Sequence, residues 1–317
     1  MNKVLEQAAA TTSLSALGAS RAMPLVGAWL RLLRPWQWLK NAFVLAPLVF
    51  SGRMSDGAAV VDSVLAFVLF SLLASGIYAW NDVADSAQDR AHPAKRHRPV
   101  AAGAVSARSA VVGGGLLVGT ALAGGWALAS AYGAMLIGYL LLNVLYTFQL
   151  KSLVILDVFS IAAFFILRLL AGCAAIGVRP SVWLLLCGGL LALYLGFAKR
   201  RHELLLLQQD SRHHRAVLEH YDAALLDQMS TILLAVTVVS YIMYTLTSQT
   251  AGEVGSETLS YSTVFVLYGV FRYLWLTHQS RRRGGADPSE TLLRDPPLLI
   301  TVVIWLGYCG WAIYRPF

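Results

Sequence analysis

Asn81-Asp82-Val-Ala-Asp85-Ser-Ala-Gln-Asp89-Arg90-Ala-His-Pro-Ala-Lys95-Arg96-His-Arg98-Pro99-Val-Ala-Ala-Gly103 is the stretch from which the rest of the chain can be read. It follows an apolar segment, 60–80, long enough to cross a bilayer. On a helix Asp82, Asp85 and Asp89 stand at i, i+3 and i+7, which brings three carboxylates to one face. Like charges so placed repel and are best tolerated around a cation. Hard oxygen ligands at this spacing suit Mg²⁺, which keeps several waters and shares its shell with substrate phosphates. Asn81 leads the set as a fourth ligand. Arg90, Lys95, Arg96 and Arg98 follow, a row of donors fit to hold phosphate oxygens. The bland alternative is a solvated loop, acidic and then basic. Carboxylates that begin where an apolar span ends are costly unless used, so Mg²⁺–diphosphate binding takes precedence.

Working outward, the 317 residues are 57% hydrophobic and only 13% charged, whereas a soluble domain carries about 25% charge. The expected fold is therefore all-α and polytopic in a membrane. Nine apolar spans are expected, at 41–52, 60–80, 109–127, 131–150, 154–176, 182–198, 229–248, 259–277 and 297–314. Residues 1–21 show no secretory signal pattern and are expected to form a mobile tail, with 22–317 a single domain. Met23 to Lys40 mixes tryptophans and leucines with Arg31, Arg34 and Lys40, the pattern of an interfacial amphipathic helix.

The net charge of +8 resides in membrane-flanking loops, which argues against nucleic acid and for topology. Arginine and lysine crowd the segment before the first span and the 2–3, 6–7 and 8–9 loops. Only Arg53, Arg179 and Arg315 fall on the other side. The expected protein is thus a multi-pass protein of the cell membrane, its N-terminus and active site cytoplasmic. Cys173, Cys187 and Cys309 all lie within apolar spans and read as packing residues.

Four further clusters fall on the charged side. Gln37, Lys40 and Asn41, in Arg34-Pro-Trp-Gln-Trp-Leu-Lys-Asn41, serve either as an interfacial anchor or as substrate contacts. Tyr146 closes span four, Lys151 occupies the turn after it, and Asp157 and Arg168 lie inside span five. Ionisable groups within a span are functional candidates. Asp157 and Arg168, eleven residues apart, share a helix face, and Arg168 is as readily a partner in a structural ion pair. Lys199, Arg200 and Glu203 close span six, where Lys199 and Glu203 at i, i+4 make either a surface pair or a phosphate site. In Arg212–Tyr221 the adjacent His213 and His214 cannot share a face and are not metal ligands.

Asn81-Asp82-x-x-Asp85-x-x-x-Asp89 with Arg98-Pro99 and Gly103 resembles the first signature of the UbiA superfamily of intramembrane prenyltransferases. Most members carry a second Asp-rich motif after span six; here Lys199-Arg200-x-x-Glu203 stands in its place. That departure, with Arg34-Pro-x-Gln-Trp-x-Lys-Asn41, Tyr146…Lys151 and Leu218-x-x-Tyr221, resembles the branch that transfers 5-phosphoribose to decaprenyl phosphate.

The resemblance implies a nine-helix bundle around a cytoplasm-facing polar cavity. The donor would be phosphoribosyl diphosphate, the acceptor a polyprenyl phosphate in the bilayer and the cofactor Mg²⁺. The product would enter polyprenyl-phosphoarabinose synthesis. It assigns Asn81, Asp82, Asp85 and Asp89 to metal and diphosphate, and Lys95, Arg96 and Arg98 to donor phosphates. Tyr146, Lys151, Lys199, Arg200 and Glu203 would position phosphate groups, Asp157 would contact the ribose, and Gln37, Lys40 and Asn41 the lipid phosphate. Transfer of a prenyl group to an aromatic ring is the alternative, and self-association is left open.

Overall fold

The computed structural model describes residues 25–92, 95–207, 216–247, 258–280 and 295–314. The expected tail at 1–21, the His213-His214 pair and the arginines at 281–283 lie outside them. Every regular element among the described residues is helical: α1 (Leu25–Leu33), α2 (Ala46–Phe50), α3 (Gly57–Ala84), α4 (Ser86–Ala91), α5 (Ala107–Leu128), α6 (Ser130–Phe148), α7 (Leu156–Ala175), α8 (Val182–Leu207), α9 (Ala223–Thr247), α10 (Thr263–Ser280) and α11 (Pro296–Tyr314). Short 3₁₀ segments cover Pro35–Val44, Lys95–His97, Leu150–Ser152 and Ala216–His220.

Most long helices begin where the sequence supplies a side-chain acceptor for an orphan backbone donor. Asp56 Oδ1 accepts from Ala58 N and Ala59 N at the start of α3, and Ser106 Oγ from Ser109 N before α5. Asp222 Oδ1 caps α9 through Leu225 N and Asp295 Oδ1 caps α11 through Leu298 N. Among the described residues seven helices, α3, α5, α6, α7, α8, α9 and α11, have the length and composition of membrane spans. Two of the nine expected spans differ. The first, expected at 41–52, is divided between the end of the 3₁₀ segment and the short α2, whose Pro47 cannot donate to a continuous ladder. The eighth, α10, is interrupted by Arg272 and ends in the polar Thr277 to Ser280.

The chain forms two compact units, 1–39 with 71–121 and 40–70 with 122–317. In the first, α1 packs on the end of α3 and the start of α5 through Ala28, Leu32, Ala79, Val105 and Ala110. Trp38 Nε1 donates to Ser75 Oγ at 2.9 Å, and that hydroxyl donates to Leu33 O at 2.9 Å, tying the chain beyond α1 to α3. Gly103, at φ +74°, makes the turn that carries the chain from the basic row into α5.

In the second unit α6, α7, α8 and α9 pack as successive neighbours, and α10 packs on α11. Gly172 on α7 lets the backbone of Val44 come so close that a Cβ would run into its carbonyl oxygen. Between α6, α7 and α8 runs an apolar groove of about 550 Å³, lined by Leu142, Phe159, Ile166, Leu167 and Leu193 among others.

Candidate active site

In the first unit, α3 is 28 residues long, about 42 Å at 1.5 Å per residue. The hydrocarbon layer is about 30 Å thick, so the last turns of α3 are long enough to carry Asn81 and Asp82 beyond it. The helix stops at Ala84, Asp85 occupies the turn, and α4 resumes at Ser86. Across that turn the helical bonding continues, since Asp85 N donates to Asn81 O at 2.9 Å and Asp89 N to Asp85 O at 2.9 Å. Asp82 and Asp89 are buried; Asp85 is half-exposed, and its carboxylate makes no hydrogen bond or ion pair among the described residues.

Two arginines stand among these carboxylates. Arg34 Nη2 donates to Asp82 Oδ1 at 2.5 Å. Arg98 Nη1 donates to Asp89 Oδ2 at 2.8 Å and lies 3.4 Å from Asp82 Oδ1. Arg98, expected to hold a donor phosphate, is thus engaged to both acids. Lys95 and Arg96, on the 3₁₀ turn, are exposed; Arg96 Nε reaches only its neighbour His97 at 3.3 Å. Arg34 is the residue that sequence reasoning left without a role.

Among the described residues no three His, Cys, Asp or Glu side chains form a ready metal cage. Yet Asp82, 1% exposed, holds both arginines on Oδ1 and leaves Oδ2 buried without a partner. An orphaned carboxylate oxygen is a costly state unless a donor or cation belongs there. One or two carboxylates completed by waters and phosphate oxygens is the usual Mg²⁺ environment. Asp82, with Asp85 unpaired nearby in the chain, fits a cation that arrives with its phosphates.

In the second unit a different network forms. Asp157, fully buried at the start of α7, accepts from Arg200 Nε on α8 at 2.6 Å through Oδ2. Arg200, 1% exposed, also donates through Nη1 to Glu203. Glu203 therefore pairs with Arg200 at i, i+3, not with Lys199 at i, i+4. Tyr221 Oη donates to Asp157 Oδ1 at 3.4 Å and accepts from Ile155 N at 2.7 Å. Ile155 has φ +69°, and Leu156 N donates to Val154 O across it at 2.8 Å. That is a γ-turn in its strained form, rare for a β-branched residue.

Burial in the first place, with the Asp157 carboxylate adding to it, raises the Tyr221 pKa and keeps its hydroxyl protonated. Tyr146 sits edge-on to Phe164, ring centroids 5.8 Å apart. Lys151, on the Leu150–Ser152 turn, and Lys199 are exposed and have no ion-pair partner among the described residues.

Asp157 and Arg168 do share α7, but each finds its partner elsewhere. Arg168 Nε donates to Asn41 Oδ1 at 2.9 Å, Nη1 to Phe164 O at 2.8 Å and Nη2 to Tyr139 Oη at 2.8 Å. Its guanidinium lies 5.0–5.3 Å from the rings of Phe70, Tyr139 and Phe165. Neutral acceptors and π-faces, not a carboxylate, hold this buried charge. Asn41 is accordingly buried and committed to Arg168. Lys40 is exposed and Gln37 half-buried, and the boundary between the two units falls between Leu39 and Lys40.

Residues 42–289 match the UbiA prenyltransferase family. A decaprenyl-phosphate phosphoribosyltransferase from Mycolicibacterium smegmatis is 34% identical over 299 residues, 92% of this chain and 93% of that protein. A protein of the same name from Mycobacterium tuberculosis is 32% identical over 295 residues, 91% of this chain and 95% of its own. A solved UbiA homolog from Archaeoglobus fulgidus, bound to GPP and Mg²⁺, shares the fold with a TM-score of 0.67 at 19% identity, covering 91% of this chain and all of that one (100%). The chain belongs to the UbiA prenyltransferase family and is an enzyme, a transferase.

Proposed function

We propose that this protein transfers 5-phosphoribose from phosphoribosyl diphosphate to a polyprenyl phosphate of the decaprenyl type, with Mg²⁺, releasing pyrophosphate. The observation that carries the reading is the state of Asp157 and Glu203. The two acids that α7 and α8 contribute beside Arg200 are both bonded to it, so a buried cation stands where a second metal–diphosphate would need an acidic cluster of its own. A prenyl transferase working on an aromatic ring through two acidic clusters needs that second set. The activity named for the two mycobacterial relatives supports the same choice.

In this reading Asn81, Asp82, Asp85 and Asp89 belong to the donor diphosphate and its cation. The cation supplies charge neutralisation for the departing pyrophosphate. Lys95 and Arg96, both exposed, bind donor phosphate oxygens, joined by Arg98. The bond from ribose C1 to the diphosphate oxygen breaks, and a bond from C1 to an oxygen of the lipid phosphate forms. The acceptor is already ionised at neutral pH, so no general base is needed.

Positive charge that develops on the ribose ring is met by Asp157, fixed in place by Arg200 and Tyr221. Lys151 and Lys199, with Tyr146, position phosphate groups. Arg200 and Glu203 serve that cluster as its brace. Lys40 and Gln37 are the contacts for the lipid phosphate, and Asn41 stays with Arg168. The apolar groove along α7, which starts at Phe159 two residues beyond Asp157, takes the first part of the polyprenyl chain. The positive-inside bias sets the N-terminus and the charged loops on the cytoplasmic side of the cell membrane.

The test is a transfer assay on the purified chain in nanodiscs with Mg²⁺, labelled phosphoribosyl diphosphate and a polyprenyl phosphate. Label is expected in the lipid phase and is expected to be lost with EDTA. Consumption of a prenyl diphosphate with an aromatic acid, and no label in lipid, would establish the aromatic prenyl transfer instead.

A further inference from the structure

Arg34 occupies a backbone position that suits another residue. Its φ is +52°, and its N–H donates to Leu30 O at 3.2 Å, so it is the left-handed residue that closes α1. Glycine fills this position in most helices that end so, because an L side chain there crowds its own backbone. Pro35 follows directly, which restricts Arg34 further. Retaining a long cationic side chain at such a place implies a use for the side chain. That side chain crosses to Asp82 Oδ1 at 2.5 Å, and its guanidinium lies 5.2 Å from the centre of the Tyr78 ring. Arg98 approaches the same oxygen at 3.4 Å from the other partner, Asp89. The second oxygen of Asp82, buried, has no partner.

We propose that Arg34 is a place-holding cation that guards Asp82 against a bare divalent ion and changes partner when the ion arrives with a diphosphate. The inference rests on the proposed assignment of Asp82 to the metal. With Arg34 on Oδ1, a bare dication approaching Oδ2 meets a carboxylate already neutralised by a guanidinium a few ångströms away, and binding is weak. A diphosphate changes the balance. Its oxygens match the planar fork of an arginine better than one carboxylate oxygen does. Arg34 then releases Asp82 to the cation and binds the phosphates, and the Tyr78 face supports the guanidinium in either position. The site thereby takes the loaded cation in preference to the free one.

The experiment measures Mn²⁺ binding to the full-length chain in detergent by loss of the free-ion EPR signal, with and without inorganic pyrophosphate. It compares the wild type with Arg34→Gly, Arg34→Lys and Asp82→Asn. Arg34→Gly relieves the backbone and deletes only the side chain. It is expected to bind Mn²⁺ alone roughly tenfold more tightly than wild type, and Mn²⁺–pyrophosphate roughly tenfold more weakly. Arg34→Lys, with the charge but not the fork, should leave Mn²⁺ alone near the wild-type value and weaken Mn²⁺–pyrophosphate.

A purely structural arginine would move both affinities in one direction or neither, and that result overturns the proposal. Asp82→Asn separates the two levels of argument. If it binds Mn²⁺ as the wild type does, the metal assignment itself is wrong and the proposal falls with it. If it loses Mn²⁺ while Arg34→Gly is unchanged, the assignment stands and only the place-holding role is overturned.

Discussion

Tyr221→Phe deletes one oxygen, and the structure says what that oxygen holds. Tyr221 Oη is the acceptor for Ile155 N at 2.7 Å and lies 3.4 Å from Asp157 Oδ1. The first contact is an ordinary, well-formed hydrogen bond; the second is at the limit of one and contributes little. Loss of the acceptor leaves the Ile155 N–H without a partner, at a cost of about 1–2 kcal/mol where the group is only partly shielded from water. The strain at Ile155 raises the stakes, because an outlier of this kind persists only while its surroundings over-determine it. The turn should therefore relax, and Lys151 and Asp157, which flank it, should lose their places.

The assay is denaturant unfolding in micelles alongside the transfer rate in nanodiscs. Tyr221→Phe is expected to lose about 1–2 kcal/mol of stability and about tenfold in transfer. Ile155→Gly in the same background should return about 1 kcal/mol, since glycine accepts a positive φ without crowding. Activity should stay low in the double variant, because relief of strain does not restore the hydroxyl. A stability change below about 0.5 kcal/mol for Tyr221→Phe, at the level of an ordinary surface substitution, would refute this reasoning. So would an Ile155→Gly change that destabilises further.

Three other outcomes are expected. Asp157→Asn leaves Arg200 buried with only Glu203 for charge, and should cost about 3–5 kcal/mol; adding Arg200→Met should recover most of the stability but none of the transfer, measured in the same two assays. Gly172→Val pushes a side chain into the Val44 carbonyl, so the yield of monodisperse protein on gel filtration should collapse, and Val44→Ala should not rescue it because the obstacle is backbone. The Asp295 carboxylate is held below its ordinary value first by the hydrogen bond from Arg272. A depressed folded value stabilises at neutral pH, fades as pH drops below the ordinary aspartate value of about 3.9 and vanishes below the folded value; Asp295→Asn should flatten this acid limb of the thermal midpoint.

What could be read in advance was the chemistry of charge against an apolar background. The Asp-rich stretch stood out because acids rarely begin where a span ends, and the broken second motif was visible in Lys199 to Glu203. Partner choice was not legible. Spacing constrains residues on one helix, so it placed Asp157 and Arg168 on a common face, but Arg200 lies 43 positions from Asp157 and Asn41 127 from Arg168. Within α8, both i+3 and i+4 pairs with Glu203 were allowed; the pull of buried Asp157 on Arg200 selects i+3. Arg34 read as a topology signal because its backbone angle and its approach to Asp82 are properties of the folded chain. The one-residue turn at Asp85 between α3 and α4 leaves no mark in a pattern of charges. The division of the expected first span has a cause that was present in the sequence, the proline at position 47.

The arginine box around Arg168 bears on how the protein is made. A lone arginine near the middle of an emerging helix resists lateral release from the translocon, at a cost of about 2.5–3.5 kcal/mol. Asn41, Phe70 and Tyr139, which satisfy that charge, are all synthesised before it. By the time α7 leaves the ribosome its solvent is already waiting in the membrane, so the order of synthesis can serve as a chaperone for this helix. A chain in which α7 preceded α3 and α6 would present Arg168 to the membrane before those partners exist. It would remove the earlier helices from the moment at which the arginine needs them.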